Sequence, residues 1–194
     1  MYKNTSTNLW YSATSSFAAQ DSSGNKGFVM SGHCARTSGG VGGDIYQPDN
    51  TRKVGDVTYY NCVFSDAAWV KTNSVTDDIY WANNNIVKDV VSYGDPSLGD
   101  TVYLSGIVSG TTTGTVTAEY VRKISTVFGP LQDQFVASYN SNNGDSGGPV
   151  FMNYGSNTVK IVGVHWGHDS PTQAVFSPVS GVTLDLNVVL RIYN

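Results

Sequence analysis

The chain has 194 residues, of which 40% are hydrophobic, 12% aromatic and only 13% charged, with 11 Lys and Arg against 15 Asp and Glu and a formal net charge of -4. Without clustered Lys and Arg it lacks the electrostatic footprint of a nucleic-acid-binding protein, and its apolar content is too high for a disordered chain. No apolar run approaches the roughly 20 residues of a membrane-spanning helix.

Read in chain order, the rhythm is that of short strands broken by turn residues. The opening Met1-Tyr2-Lys3-Asn4 leads into polar Thr and Ser with no apolar leader segment, so a secreted protein would be represented here by its mature part. Strands are expected at Gly27–Met30, Val57–Phe64 and Ala67–Val70, then at Thr101–Leu104, Gly114–Ala118, Gln134–Ala137 and Lys160–Val164. Clusters such as Ser23-Gly24-Asn25, Gly39-Gly40, Gly42-Gly43-Asp44 and Asn142-Asn143-Gly144 separate them. Many short strands with Gly-rich turns define an all-β barrel or sandwich. The polar stretch from Thr76 to Asn85 divides the chain into halves of similar size, as two barrels would require; one larger sandwich is the alternative. The segment Leu184 to Ile192 fits alternation first and helical spacing afterwards, and is read as a short terminal helix.

The strongest chemical signal is Gly144-Asp145-Ser146-Gly147-Gly148-Pro149. A nucleophilic serine needs an exposed hydroxyl on a tight turn, with backbone N–H groups converging where a carbonyl oxygen becomes an oxyanion. Glycines permit such a turn. Serine also needs a base, and the base an orienting acid. Of only three histidines, His33 directly follows the apolar strand Phe28-Val29-Met30 and is placed to face a cleft. Asp66, just ahead of Ala67-Ala68-Trp69-Val70, would be largely buried and would need a hydrogen-bonded partner. The histidines lack zinc-like spacing and no Gly-Lys-Ser/Thr phosphate cradle occurs, so no metal and no cofactor is expected.

These three motifs together resemble the chymotrypsin-like serine proteases, especially the bacterial branch of α-lytic protease and streptogrisin type. Gly27-Phe28-Val29-Met30-Ser31-Gly32-His33-Cys34 is similar to the histidine motif of that branch, Asp66-Ala67-Ala68-Trp69-Val70 to its aspartate motif, and Gly144 to Pro149 matches its serine motif residue for residue. The order His, Asp, Ser is also that of the family. The resemblance runs from about Ser12 to Leu190. It implies two six-stranded antiparallel β-barrels with a short C-terminal helix, residues 1–82 carrying His33 and Asp66, and residues 83–194 carrying Ser146 and the specificity pocket. It further implies a secreted, monomeric serine endopeptidase acting on polypeptides. Ser146 would be the nucleophile, His33 the general base and Asp66 its orienting acid, with Gly144 and Ser146 N–H groups as the oxyanion hole. Asp145 would be structural, shaping that loop.

Specificity is expected from Gly163-Val164-His165-Trp166-Gly167, which is similar to the Gly-Ile-His-Trp-Gly run of the staphylococcal glutamyl endopeptidase. In such enzymes the histidine lies in the pocket and donates to the substrate side chain. The resemblance thus implies a preference for Glu before the scissile bond, with substrate contacts from Ser141, His165, Trp166 and Gly167. Broad or small-apolar specificity, or a catalytically silent binding protein, are the alternatives. His168 has no assigned role; it is either a solvent-exposed loop residue or a second contact to the same carboxylate. Cys34 and Cys62 allow one disulfide, which would be an unusual staple for this family; two free thiols are the alternative.

Overall fold

The computed structural model describes residues 1–81, 86–170 and 172–193. The first half supplies β1 (Tyr2–Lys3), β2 (Trp10–Tyr11), β3 (Ala18–Asp21), β4 (Lys26–Met30), helix α1 (Gly32–Thr37), β5 (Asp44–Tyr46), β6 (Lys53–Tyr59) and β7 (Ala68–Lys71). Then come β8 (Asp78–Trp81), β9 (Ile86–Tyr93), β10 (Thr101–Gly106), β11 (Gly110–Ser125), β12 (Gly129–Ala137), β13 (Pro149–Asn153), β14 (Thr158–Ser170) and β15 (Gln173–Pro178). Helix α2 (Val179–Leu186) and β16 (Val188–Leu190) close the chain.

Two sheets result. One has the order β16-β3-β4-β7-β6-β5-β1-β2, the other β13-β10-β11-β12-β15-β14-β9-β8. An additional β13–β14 pairing closes six strands of the second sheet into a barrel, with β9 and β8 appended to β14. The chain thus adopts the expected two-barrel, all-β architecture. One pairing departs from antiparallel geometry, since β9 runs parallel to β14. The expected division at 82/83 lies outside the described residues. On either side of it, β8 and β9 pair with each other in the second sheet, while β16 returns from the far end of the chain to pair with β3.

Alternating side chains sort into three apolar clusters. Phe28, Met30, Ile45, Val57 and Val70 fill the first barrel, and Val102, Leu104, Val116, Phe135 and Phe176 fill the second. A third cluster forms the seam. Phe17, Val29 and Trp69 meet Phe151, Ile161 and Val164, with Val182 and Leu186 of α2 packed against them. Each large apolar side chain buried there contributes about 1.5–3 kcal/mol, so the seam holds the two barrels in one arrangement.

Two local expectations are corrected. The terminal helix lies earlier, at Val179–Leu186, and is ended by Asn187 in the left-handed conformation (φ 51°). Val188–Leu190 form a strand because β3 offers them a free edge. The strand expected over Val57–Phe64 stops at Tyr59, because the amides of Val63 and Phe64 turn instead to a carboxylate of α2. Among the described residues, no helix is long and apolar enough to cross a membrane.

Candidate active site

His33 stands in the first turn of α1, immediately after β4, so a strand end and a helix start aim it into the seam. Its Nδ1 lies 3.0 Å from Asp66 Oδ2 and 3.2 Å from Oδ1, and its backbone N–H donates to Oδ1 at 2.8 Å. Asp66 is wholly buried, whereas the His33 side chain keeps 24% exposure. Burial alone would lower the pKa of the ring. The Asp66 charge and hydrogen bond, with a contribution from Cys34, outweigh that and hold it above the ordinary imidazole value.

Asp66 is positioned largely from the other barrel. Its backbone N–H donates to Ser177 Oγ at 2.9 Å, and that hydroxyl donates to Gln134 Oε1 at 2.8 Å. Gln134 Oε1 also accepts from Trp166 Nε1, and its amide nitrogen donates to the Phe64 carbonyl. One oxygen of Asp185, on α2, accepts the N–H groups of Val63, Phe64 and Ser65 together with the Ser65 hydroxyl, at 2.8–3.1 Å. Gln134, Ser177 and Asp185 were not singled out from the sequence. No local motif marks them, although a buried acid in the terminal helix of a low-charge chain is a feature that calls for a partner.

Ser146 lies on the loop between β12 and β13. Its carbonyl accepts from Thr14 N–H, and the Thr14 hydroxyl donates to the Gly144 carbonyl, so the loop is pinned to the first barrel. Gly147 has φ +93°, and a Cβ there would stand 2.2 Å from the Thr14 carbonyl, so only glycine fits. On the other side, Gly147 N–H donates to the His165 carbonyl and His165 N–H to the Gly148 carbonyl. Among the described residues, the Ser146 hydroxyl makes no hydrogen bond to the His33 ring; such bonds commonly tighten only with substrate in place. The N–H groups of Gly144 and Ser146 likewise have no acceptor among the described residues, which is the state an oxyanion hole needs before substrate arrives. Asp145 is fully buried and accepts from the N–H groups of Val108 (2.8 Å), Ser109 (3.1 Å) and Asn142 (2.8 Å). Three main-chain donors thus satisfy the buried carboxylate.

The residues expected to set specificity separate into two layers. A cleft of about 40 Å³ is lined by Tyr139, Ser141, His168, Ser170 and Ala174. His165 does not line it, contrary to the expectation that it faces the pocket. Its side chain is 2% exposed, beneath Tyr139, with Nδ1 3.1 Å from the Tyr139 hydroxyl. Burial, reinforced by the neighbouring His168 and His33, lowers its pKa to about 4 against the pull of Asp145, so the ring is neutral. Trp166 is tied to Gln134, and Gly167 leaves its backbone uncovered, with nothing within 4 Å of where a Cβ would lie. A larger groove of about 920 Å³ runs past Thr14 toward the turn at Ile107–Ser109, beside rather than at the His33–Asp66 pair. Cys34 and Cys62 are both free thiols, so the disulfide is not formed; Cys62 sits instead against Gly32 and the Ala67 carbonyl.

Two barrels with a His paired to a buried Asp in the first and a glycine-flanked serine loop from the second define the chymotrypsin-like fold of the bacterial serine proteases. Neither a family model nor a curated protein matches this sequence, but solved structures do. A glutamic acid specific serine protease, which uses a histidine triad in substrate binding, is similar with a TM-score of 0.77 and 22% identity, covering 92% of this chain and 93% of that one. The Nocardiopsis protease is similar with a TM-score of 0.75 and 25% identity over 92% of both chains. Protease A of Thermobifida fusca is similar with a TM-score of 0.75 and 20% identity over 93% and 92%.

Proposed function

We propose that the protein is a secreted serine endopeptidase that works through Ser146, His33 and Asp66 and prefers Glu before the scissile bond. The observation that carries the catalytic reading is the His33–Asp66 pair, held at 3.0 Å and backed from the second barrel, together with the hydrogen bond that ties the Ser146 carbonyl to Thr14 of the first. His33 takes the hydroxyl proton as Ser146 Oγ bonds to the scissile carbonyl carbon. The resulting oxyanion is received by the N–H groups of Gly144 and Ser146, each such donor being worth roughly 2.7–4 kcal/mol in comparable sites. His33 then returns the proton to the leaving amine as the C–N bond breaks, leaving an acyl-serine that water hydrolyses by the same route. Asp66 holds the Nδ1–H tautomer and stabilises the imidazolium without taking the proton.

The acidic preference is supported by the polar lining of the small cleft at Ser141 and His168, with its hydroxyls and imidazole, and by the likeness to a glutamic acid specific protease. A carboxylate entering such a site loses hydration and must be met by donors, while an apolar side chain would leave those donors unpaired. The test is turnover of peptides differing only in Glu, Gln, Phe, Leu or Lys before the scissile bond, with Ser146→Ala as control. Glu substrates are expected to lead, and the control to be silent. Equal turnover of Phe or Leu would remove the acidic preference, and failure of the folded protein to react with a phosphonofluoridate reagent would remove the catalytic reading.

A further inference from the structure

The two non-catalytic histidines lie three residues apart on β14, a spacing that regular alternation would send to opposite faces of a strand. Here the register is His165↔Phe176, Gly167↔Val175 and His168↔Ala174, with a bulge between His165 and Gly167. The extra residue reverses the alternation. His165 and His168 therefore both stand on the face of Phe176 and Ala174, one behind the other. The inner ring is enclosed: it contacts Tyr139 edge-on at 5.6 Å between centroids and shares the 3.1 Å hydrogen bond with the Tyr139 hydroxyl. The outer ring is exposed and borders the cleft together with Ser141 and Ser170. The nearby Asp169 carboxylate is taken up by Lys123 and does not compete for that ring.

We propose that His168, rather than His165, is the residue that meets a substrate carboxylate, with Ser141 and Ser170 as hydroxyl donors and the Tyr139–His165 pair as a buried support. This rests on the acidic preference proposed above and names the residue that carries it. A carboxylate cannot reach His165 without displacing Tyr139, a fully buried side chain in the core of the second barrel. His168 lines the cleft, is exposed, and needs no displacement. A ring N–H donating to an ionised carboxylate is a charge-assisted bond, the kind that discriminates Glu from the isosteric Gln.

The test compares kcat/KM for matched Glu, Gln and Leu peptides in the natural protein, His168→Gln and His168→Lys. His168→Gln is expected to lower the Glu-to-Leu ratio by about 10- to 100-fold, mostly through KM, and His168→Lys to restore most of it by supplying a permanent cation. Active-site titration with the phosphonofluoridate reagent confirms folding of each variant. A natural protein that prefers Glu, with the ratio untouched in His168→Gln, would overturn this inference alone. A natural protein with no preference for Glu over Leu would overturn both it and the acidic reading.

Discussion

Burial of His165 predicts a specific pH sensitivity of stability. In the unfolded chain the ring titrates near 6.5; in the folded protein, enclosed under Tyr139, it titrates at about 4. Between those values the unfolded state binds more protons. The neutral ring's contribution is therefore complete above pH 6.5 and is lost as pH falls toward 4. At roughly 1.4 kcal/mol for each pH unit, the loss is about 2 kcal/mol by pH 5 and about 3 kcal/mol by pH 4. His33 runs the other way, since its raised value favours the folded state at low pH and that contribution fades as pH rises. The two are separated by comparing Ser146→Ala with Ser146→Ala/His165→Gln, both free of self-digestion, in urea unfolding at pH 7.5 and pH 5. With a slope of about 2 kcal/mol per molar urea, the midpoint of the single variant should fall by about 1 M more than that of the double variant. Equal falls would refute the assignment of a buried neutral imidazole.

Other expectations concern the supports of the site. Asp185→Ala leaves three main-chain N–H groups and the Ser65 hydroxyl without their acceptor, and should cost at least about 3 kcal/mol, read as a melting temperature lowered by roughly 10 °C; kcat should fall more than KM rises. Gly106→Ala places a Cβ 2.3 Å from Asp145 Oδ1 and should dislodge that carboxylate, reducing kcat by about 100-fold or more through the oxyanion loop, with peptide binding less affected. The rise of kcat/KM with pH should have its midpoint above 6.5, because His33 acts as base only when neutral and Asp66 favours its protonated form. Asp66→Asn should move that midpoint downward while lowering the plateau, both measurable in one pH–rate series.

The proposed catalytic constellation is legible in the sequence because each candidate sits in a short, self-contained motif. Gly144 to Pro149 is built from residues whose backbone freedom and small size the turn itself requires, and His33 and Asp66 adjoin apolar strands that announce their own burial. The groups that hold them are distributed. Ser177, Gln134 and Asp185 are separated from Asp66 by 68 to 119 positions, and nothing in the few residues around each distinguishes it from any other polar residue near a strand or helix. The depth of His165 was hidden for a different reason. A bulge costs one residue and leaves no composition signal, yet it brings His168 to the same face of β14 as His165, where the outer ring lines the cleft and the inner one does not. The end of the chain reads as helix because its apolar residues satisfy both periods, and the free edge of β3, far away in sequence, makes Val188–Leu190 a strand instead.

Asp66 belongs to one half of the molecule by chain order but is clasped by the other, through Ser177 above and Asp185 behind. Any opening of the seam that exposes cleavable loops also releases the Asp66 segment, and with it the orientation of His33. If Asp66 and His33 act as proposed, a loosened molecule would therefore lose its cutting power in the very form in which it is most easily cut. In a concentrated population, loosened copies would then become food for intact ones without becoming cutters themselves.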